Sequence, residues 1–189
     1  QSADEAGRRE ISYRSHGDVG VLGIDFYNGA MSTRQCRRLS AALRDALRQP
    51  TKVLVVRGGE SFSNGIHLNV IEAAPSPTLE AWRNINAIDD VAREIVTATD
   101  QLVVASVGAN AGAGGVMLAL GADYVLLRDG VVLNPHYATM GLYGSEYWTY
   151  LLPKRVGDVE AARLTGRWLP IGSSQDKRTV LVDDVVAGA

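Results

Sequence analysis

Apolar positions change their spacing several times along the chain, and each change predicts an element. Two short β-rich runs, Ile11–Tyr13 and Val19–Ile24, flank His16-Gly17-Asp18 and predict a hairpin. From Thr33 to Arg48 the residues Cys36, Leu39, Leu43, Ala46 and Leu47 recur at helical spacing with arginines between them. Ser32 stands at the N-cap position of that helix and Pro50 just past its end. Val53–Val56 is an unbroken apolar run closed by Gly58-Gly59, the pattern of a parallel strand covered on both faces. A second unit repeats the order. After Pro75-Ser76-Pro77, the segment Thr78–Thr99 sets Leu79, Trp82, Ile85, Ile88, Val91 and Ile95 on one helical stripe. The apolar strand Leu102–Val107, a glycine-rich turn and a short helix from about Gly115 to Leu120 follow. Tyr124–Leu127 and Val131–Leu133 read as strands around Asp129-Gly130. Ser145–Leu152 reads as a helix stopped by Pro153, Val159–Leu164 as another helix, and Val180–Val182 as a last strand. Strand and helix alternating in this way define an α/β domain with a mainly parallel sheet.

Composition narrows the class. With 189 residues, one compact domain is expected, and the 46% hydrophobic and 21% charged fractions are those of a globular protein. Residues 1–10 are polar and read as a disordered terminus or linker remnant, leaving 11–189 as the domain. A net charge of -2 gives no reason to expect nucleic acid or an anionic membrane as partner. One cysteine, Cys36, cannot close an internal disulfide, no run approaches the roughly 20 apolar residues of a membrane span, and the first residues lack a signal-peptide pattern. A cytoplasmic protein is the expectation. No His/Asp/Glu spacing suggests a metal site.

The chemistry concentrates where two buried strands end in small residues. The first place is Phe62-Ser63-Asn64-Gly65-Ile66-His67-Leu68, and the second is Asn110-Ala111-Gly112-Ala113-Gly114-Gly115-Val116-Met117. Ligands in open α/β sheets gather beyond the carboxyl ends of the strands. Glycine there lets the backbone come close, and an N–H at a helix start is unpaired and positive. Two such amides from separate turns could converge on one carbonyl oxygen as an oxyanion hole. The simpler alternative is that these glycines only permit tight turns and close packing. No G-x-G-x-x-G runs through residues 108–115 and no Gly-Lys-Ser/Thr follows, so dinucleotide and P-loop readings fail. The residues alone reach a pocket for a carbonyl or an anion.

The pair of turns resembles the crotonase (enoyl-CoA hydratase/isomerase) superfamily over essentially the whole chain. The pattern there is F-[SC]-A-G-A-D-L after one strand and G-x-x-x-G-G-G-x-E after a later one. The resemblance implies a ClpP/crotonase-like ββα spiral core, here lacking the usual C-terminal helical extension. It also implies an oxyanion hole from the amides of Ile66 and Gly114, the helix at Gly115 aimed at a thioester oxygen, and coenzyme A as the thioester substrate's carrier. The two positions that hold glutamates in hydratases are Met117 and Tyr137 here. Without those carboxylates, addition of water to an enoyl thioester has lost its acid and its base.

Longer strings match a narrower family. Phe26-Tyr27-Asn28-Gly29-Ala30-Met31-Ser32, Ser63–Glu72, Trp82–Asp90, Gly112–Leu120, Asn134-Pro135-His136-Tyr137 and Tyr143–Pro153 are similar to the C-terminal half of hydrogenase maturation factors of the HypX/HoxX type. In that family an N-terminal half moves a formyl group from formyl-tetrahydrofolate to coenzyme A, and the crotonase-like half breaks formyl-CoA into carbon monoxide and CoA. The carbon monoxide becomes a ligand of a nickel–iron centre. The resemblance implies Tyr137 and Glu146 as the catalytic pair, with Glu146 as base and Tyr137 as hydrogen-bonding partner or proton carrier, or the reverse. Asn64, Gly65, Gly115, Met117 and His136 are the implied substrate-binding residues. The implied partners are formyl-CoA and a formyl-tetrahydrofolate-dependent transferase domain or protein. Structural roles compete: Glu146 beside Ser145 suits a helix N-terminus, Tyr137 suits a core position with its hydroxyl on a backbone acceptor, and Trp82, Trp148 and Trp168 suit core or interface. At the level of function, thioester hydrolysis and a catalytically silent acyl-CoA-binding module stand against the lyase.

Overall fold

The computed structural model describes residues 9–137, 141–166, 169–173 and 181–187. Its strands are β1 (Ile11–His16), β2 (Val19–Ile24), β3 (Ala30–Met31), β4 (Val53–Gly58), β5 (Gly65–Ile66), β6 (Leu102–Val107), β7 (Ala111–Gly112), β8 (Tyr124–Arg128), β9 (Val132–Asn134), β10 (Ile171–Gly172) and β11 (Asp184–Val186). The helices are α1 (Thr33–Leu47), α2 (Leu68–Glu72), α3 (Pro77–Val96), α4 (Gly114–Leu120), α5 (Trp148–Val156) and α6 (Asp158–Thr165). One sheet runs in the order β1-β2-β4-β6-β8-β11 and is parallel except for the β1–β2 hairpin, whose register pairs His16 with Val19. Two small sheets, β10-β9-β7 and β3-β5, stand at the site. This is the α/β arrangement expected from the alternating pattern. No long helix follows α6 among the described residues.

The hairpin closes through Gly17 at φ +56°, a conformation glycine adopts without strain. In α1, Ser32 and Gln35 form a reciprocal capping box, satisfying two N–H groups that the helix cannot pair. Cys36, Leu39, Leu43 and Ala46 point from α1 into the core, and Ala87, Ile88, Val91, Ala92 and Ile95 do so from α3. Both helices share one core cluster with Leu22, Leu54, Val56, Val103 and Val125 of the large sheet.

Several expectations need correction. The unbroken run Val53–Val56 predicted a strand covered on both faces. In the structure Leu54 and Val56 are buried whereas Val53 and Val55 are only partly covered, so period-two alternation governs it after all. The stripe on α3 is rotated at its first turns. Leu79 and Trp82 are 45% and 67% exposed, and the buried set contains Asn84 in phase with Ile88, Val91 and Ile95. Trp82 is therefore no core residue.

Pro153 does not stop α5, which continues to Val156. A proline removes one N–H bond and crowds the preceding turn; buried Leu151 and Leu152 hold the helix onto the core, and the Gly157 N–H closes on the Pro153 carbonyl at 2.7 Å. The last strand is Asp184–Val186, not Val180–Val182. Leu181 and Val182 are buried without pairing, because apolar character reports burial rather than hydrogen bonding. Val180, Trp168 and residues 1–8 lie outside the described residues. Glu10 is tied in, accepting from the Asp25 N–H at 2.8 Å and from Gln35 Nε2 at 2.8 Å.

Alternation along β4 gives a stability test. Leu54→Ala, at a fully buried position, is expected to cost about 2–5 kcal/mol in chemical denaturation, and Val55→Ala, on the half-covered face, distinctly less.

Candidate active site

The two glycine-containing turns leave the carboxyl ends of adjacent strands β4 and β6 and come together. Ser63 forms a bridge with Ala111, and its carbonyl accepts the Gly112 N–H at 2.9 Å. In the first turn, Asn64 Nδ2 donates to the Asn28 carbonyl at 2.6 Å, and Gly65, at φ +78°, starts the strand that pairs with β3. Asn84, fully buried on α3, secures that strand from behind. It donates to the Met31 carbonyl at 2.9 Å and accepts the His67 N–H at 3.2 Å. In the second turn, Ala113 (φ 46°) forces the chain into α4, and Gly114 is the first helical residue. Its N–H has no partner within the helix. A Cβ on Gly65 would stand 3.4 Å from the Gly114 nitrogen, so the two main chains lie about one methyl group apart.

Between them lies a cavity of about 140 Å³, lined by Asn64, Gly65, Ile66, Leu68, Ile85, Ala113, Gly114, Tyr137, Leu142, Tyr143, Gly144, Ser145 and Glu146. Of the residues singled out from sequence, Ile66, Gly114, Asn64, Gly65, Tyr137 and Glu146 are brought together here. Three are not. Met117 is fully buried but lies a turn further along α4, packed in the core rather than on the cavity wall. Gly115 is pressed against the Ser63 carbonyl, which a Cβ would overlap, so its small size serves loop packing. His136 lines a different cleft, across the Asn64–Ile66 segment, together with Asn28, His67 and Asn134.

Glu146 is the most constrained side chain of the site. It is fully buried, and both it and Tyr147 adopt left-handed backbone (φ 55° and 54°), a costly conformation for residues with a Cβ. Its main-chain N–H donates to Asp89 Oδ1 at 2.6 Å. Oε2 accepts from Ser145 Oγ at 2.6 Å and from the Tyr137 hydroxyl at 3.3 Å, and that hydroxyl also reaches the Ser145 carbonyl at 3.3 Å. Oε1 has no hydrogen-bond partner among the described residues. It faces Gly65 and Gly114: a Cβ on Gly65 would lie 3.6 Å from it, and a Cβ on Gly114 would fall inside the carboxylate. Gly144, at φ +105°, is packed between Tyr137 and Trp148, whose rings are 6.1 Å apart. Glu146 does not cap α5. The N-cap is Tyr147, and no side chain bonds there.

Electrostatics follow from this burial. Removal from water pushes the Glu146 carboxyl up to about 7, assisted by the nearby Asp89 charge and opposed by the bonds from Ser145 and Tyr137. Burial, and then the Glu146 charge, raise Tyr137 above the ordinary phenol range, so it remains a proton donor. Burial and the same charge hold the Cys36 thiol at about 12, protonated and inert. Among the described residues no group of three His, Cys, Asp or Glu side chains could hold a metal ion, and no helix is long and apolar enough to cross a membrane.

The sequence reading missed Ser145, Asp89, Gly144 and Asn84. Only Asn84 carried a signal, a polar residue in phase with an apolar helical stripe. The others act through contacts that spacing does not encode.

A parallel-sheet spiral with two converging amide-bearing turns is the arrangement of an acyl-thioester enzyme scaffold. The chain belongs to the enoyl-CoA hydratase/isomerase family, whose model matches residues 20–189. Among individual proteins, it is 55% identical over 184 residues to the hydrogenase maturation factor HoxX of Bradyrhizobium diazoefficiens, covering 96% of this chain and 32% of HoxX. It is 49% identical to HypX of Aquifex aeolicus, solved in complex with tetrahydrofolic acid, with a TM-score of 0.93 over 100% of this chain and 34% of that one. A putative enoyl-CoA hydratase from Thermobifida fusca, in complex with CoA, superposes with a TM-score of 0.81 at 25% identity, covering 94% of this chain and 72% of that chain. The chain spans about a third of the length of HoxX and HypX.

A buried acid with a raised pKa destabilises the folded state once it must ionise. Between the unfolded value of 4.5 and about 7 the native protein binds more protons than the unfolded chain, so stability falls as pH rises. The loss is expected to approach about 3 kcal/mol by pH 8. Glu146→Gln removes this slope, so the stabilities of the variant and the parent should diverge in the variant's favour between pH 4.5 and about 7 and stay separated above it.

Proposed function

We propose that the chain is a CoA-thioester lyase that splits formyl-CoA into carbon monoxide and CoA. In this reading the formyl oxygen lies between the main-chain amides of Ile66 and Gly114, and Glu146 Oε1 faces the formyl C–H. The carboxylate takes the formyl hydrogen as a proton, the C–H electron pair becomes the carbon lone pair of carbon monoxide, and the C–S pair leaves on sulfur. The proton then returns from Glu146 to the thiolate, giving CoA-SH and restoring the base. Tyr137, held protonated, donates to Oε2 and steadies the carboxylate while it changes charge. Glu146 as base and Tyr137 as donor is thus the favoured split, since a phenol with a raised pKa is a poor base.

The observation that carries the reading is the buried Oε1 of Glu146, unpartnered among the described residues and directed at the two glycine turns. A base with a pKa near neutrality accepts a proton from carbon and returns it at the working pH. The similarity to HoxX and HypX supports carbon monoxide as the product and assembly of a hydrogenase metal centre as its use. The tetrahydrofolic acid in HypX supports a formyl-transferring partner, whether domain or protein, and the CoA complex supports the carrier.

Incubation with formyl-CoA and a haem trap should give the carbon monoxide spectrum together with free CoA. Glu146→Gln should lower the rate about 100-fold or more, because it removes the base and keeps the shape. In the parent, kcat/KM should rise with pH through a limb near 7. Free CoA without trapped gas would assign hydrolysis instead, and neither product would assign a binding module.

Gly114→Ala tests the cradle separately. Its Cβ displaces the carboxylate, so turnover should fall by at least the loss seen in Glu146→Gln while the fold persists in circular dichroism.

A further inference from the structure

The loop that carries Glu146 lacks regular structure between Gly141 and Tyr147, yet it must hold two consecutive residues in left-handed backbone. Among the described residues its hydrogen-bonded tie to α3 runs through one carboxylate. Asp89 on α3 lies outside the cavity wall and accepts the Glu146 N–H at 2.6 Å, shorter than the usual amide bond to a neutral acceptor. Ile88, beside it, is fully buried, so Asp89 projects from the most firmly anchored part of α3.

We infer that Asp89 is a positioning residue for Glu146: its carboxylate grips the main-chain N–H of the left-handed turn and places a second negative charge beside the buried carboxyl. This rests on the reading of Glu146 as the base. The grip fixes φ and ψ where Oε1 faces Gly65 and Gly114. The charge acts on the same group. Glu146 is faced by Asp89 from α3, by the Tyr137 hydroxyl from the segment after β9, by Ser145 on its own loop, and by the Cys36 thiol from α1. Of these only Asp89 is a second carboxylate, its own pKa raised by burial, and its charge works in the direction of keeping Glu146 protonated. Among the described residues no arginine or lysine forms an ion pair with Asp89, and its neighbour Asp90 is paired with Arg93 at 2.8 Å. The charge is therefore not cancelled locally. Asp89 thus separates two properties of one base, its place and its readiness to ionise.

Two variants separate these roles. Asp89→Asn keeps an oxygen that can accept the N–H but removes the charge; Asp89→Ala removes both. Glu146 ionisation is followed directly by its carboxyl infrared band, identified by difference against Glu146→Gln, and carbon monoxide release is followed across pH with kcat and KM resolved. In Asp89→Asn the titration midpoint and the rising limb should both move to lower pH, by about half a unit or more, with the plateau rate retained. In Asp89→Ala, kcat should fall about tenfold or more with KM unchanged, because the base is displaced and the thioester contacts are not. A purely structural aspartate would lower the melting temperature of both variants and leave the Asn midpoint where it was. That result overturns the inference even if Asp89→Ala fails to fold. Should the parent release no carbon monoxide, the lyase reading falls. The infrared midpoint of Asp89→Asn still decides the role of Asp89, supporting it if it drops and refuting it if it stays.

Discussion

A buried carboxyl group, with one oxygen left without a partner among the described residues, is the constraint around which this site is built. Burying an ionised carboxylate in an apolar setting is expensive, and proteins usually avoid it by pairing the charge or by protonating it. Here Oε2 takes two donors while Oε1 takes none among the described residues, and the acid settles near neutrality. The glycines nearby follow from the same requirement. Gly114 leaves room for the carboxylate, Gly65 lets the opposite main chain approach it, and Gly144 lets Tyr137 and Trp148 close over the loop. The left-handed backbone of Glu146 and Tyr147 is strain stored at the proposed base, and it persists because the surrounding bonds over-determine it.

The helix α3 unites the two halves of the site. Asn84 fixes the strand that bears Ile66, by bridging the Met31 carbonyl and the His67 N–H, and Asp89 fixes the loop that bears Glu146. These residues are five apart, about 7.5 Å along the helix axis, on a segment whose neighbours Ala87, Ile88 and Val91 are locked into the core. The distance between the amide pocket and the carboxyl is therefore set by a rigid rod rather than by two independent loops. Sites supported in this way are positioned more reliably than sites carried by loops alone.

This also explains what the sequence could reveal. The fold was legible because apolar spacing reports burial, and burial dictates strands, helices and their order. The glycine turns were legible because few residues tolerate those backbone angles. Tyr137 and Glu146 emerged from family resemblance rather than from pattern, since a tyrosine and a glutamate nine residues apart carry no spacing signature of their own. What stayed hidden was second-hand. Ser145, Asp89 and Gly144 matter through what they touch, and contacts between α3 and a loop 57 residues away have no local trace. Errors had the same origin. Met117 was placed by alignment to a glutamate slot and His136 by family resemblance; Met117 lies in the core and His136 lines a neighbouring cleft. The first two turns of the α3 stripe were read as core because aromatic and aliphatic residues there matched the helical period, although no neighbour buries Trp82 among the described residues.

The walls of the cavity bear on which thioester reaction it suits. Ile66, Leu68, Ile85 and Leu142 line the cavity with hydrocarbon beside the carboxyl. A hydrolase must admit and orient a water molecule at the acyl carbon, which calls for polar partners that hold it. The donors present, Ser145 Oγ and the Tyr137 hydroxyl, are turned to Oε2. A formyl group asks for less. It has no side chain to accommodate, its hydrogen is the atom to be removed, and its departing products need only one proton returned to sulfur. Under the proposed lyase reading a single near-neutral carboxyl would meet that demand, and the burial that makes Glu146 costly to ionise would also limit the water able to compete for the same carbon.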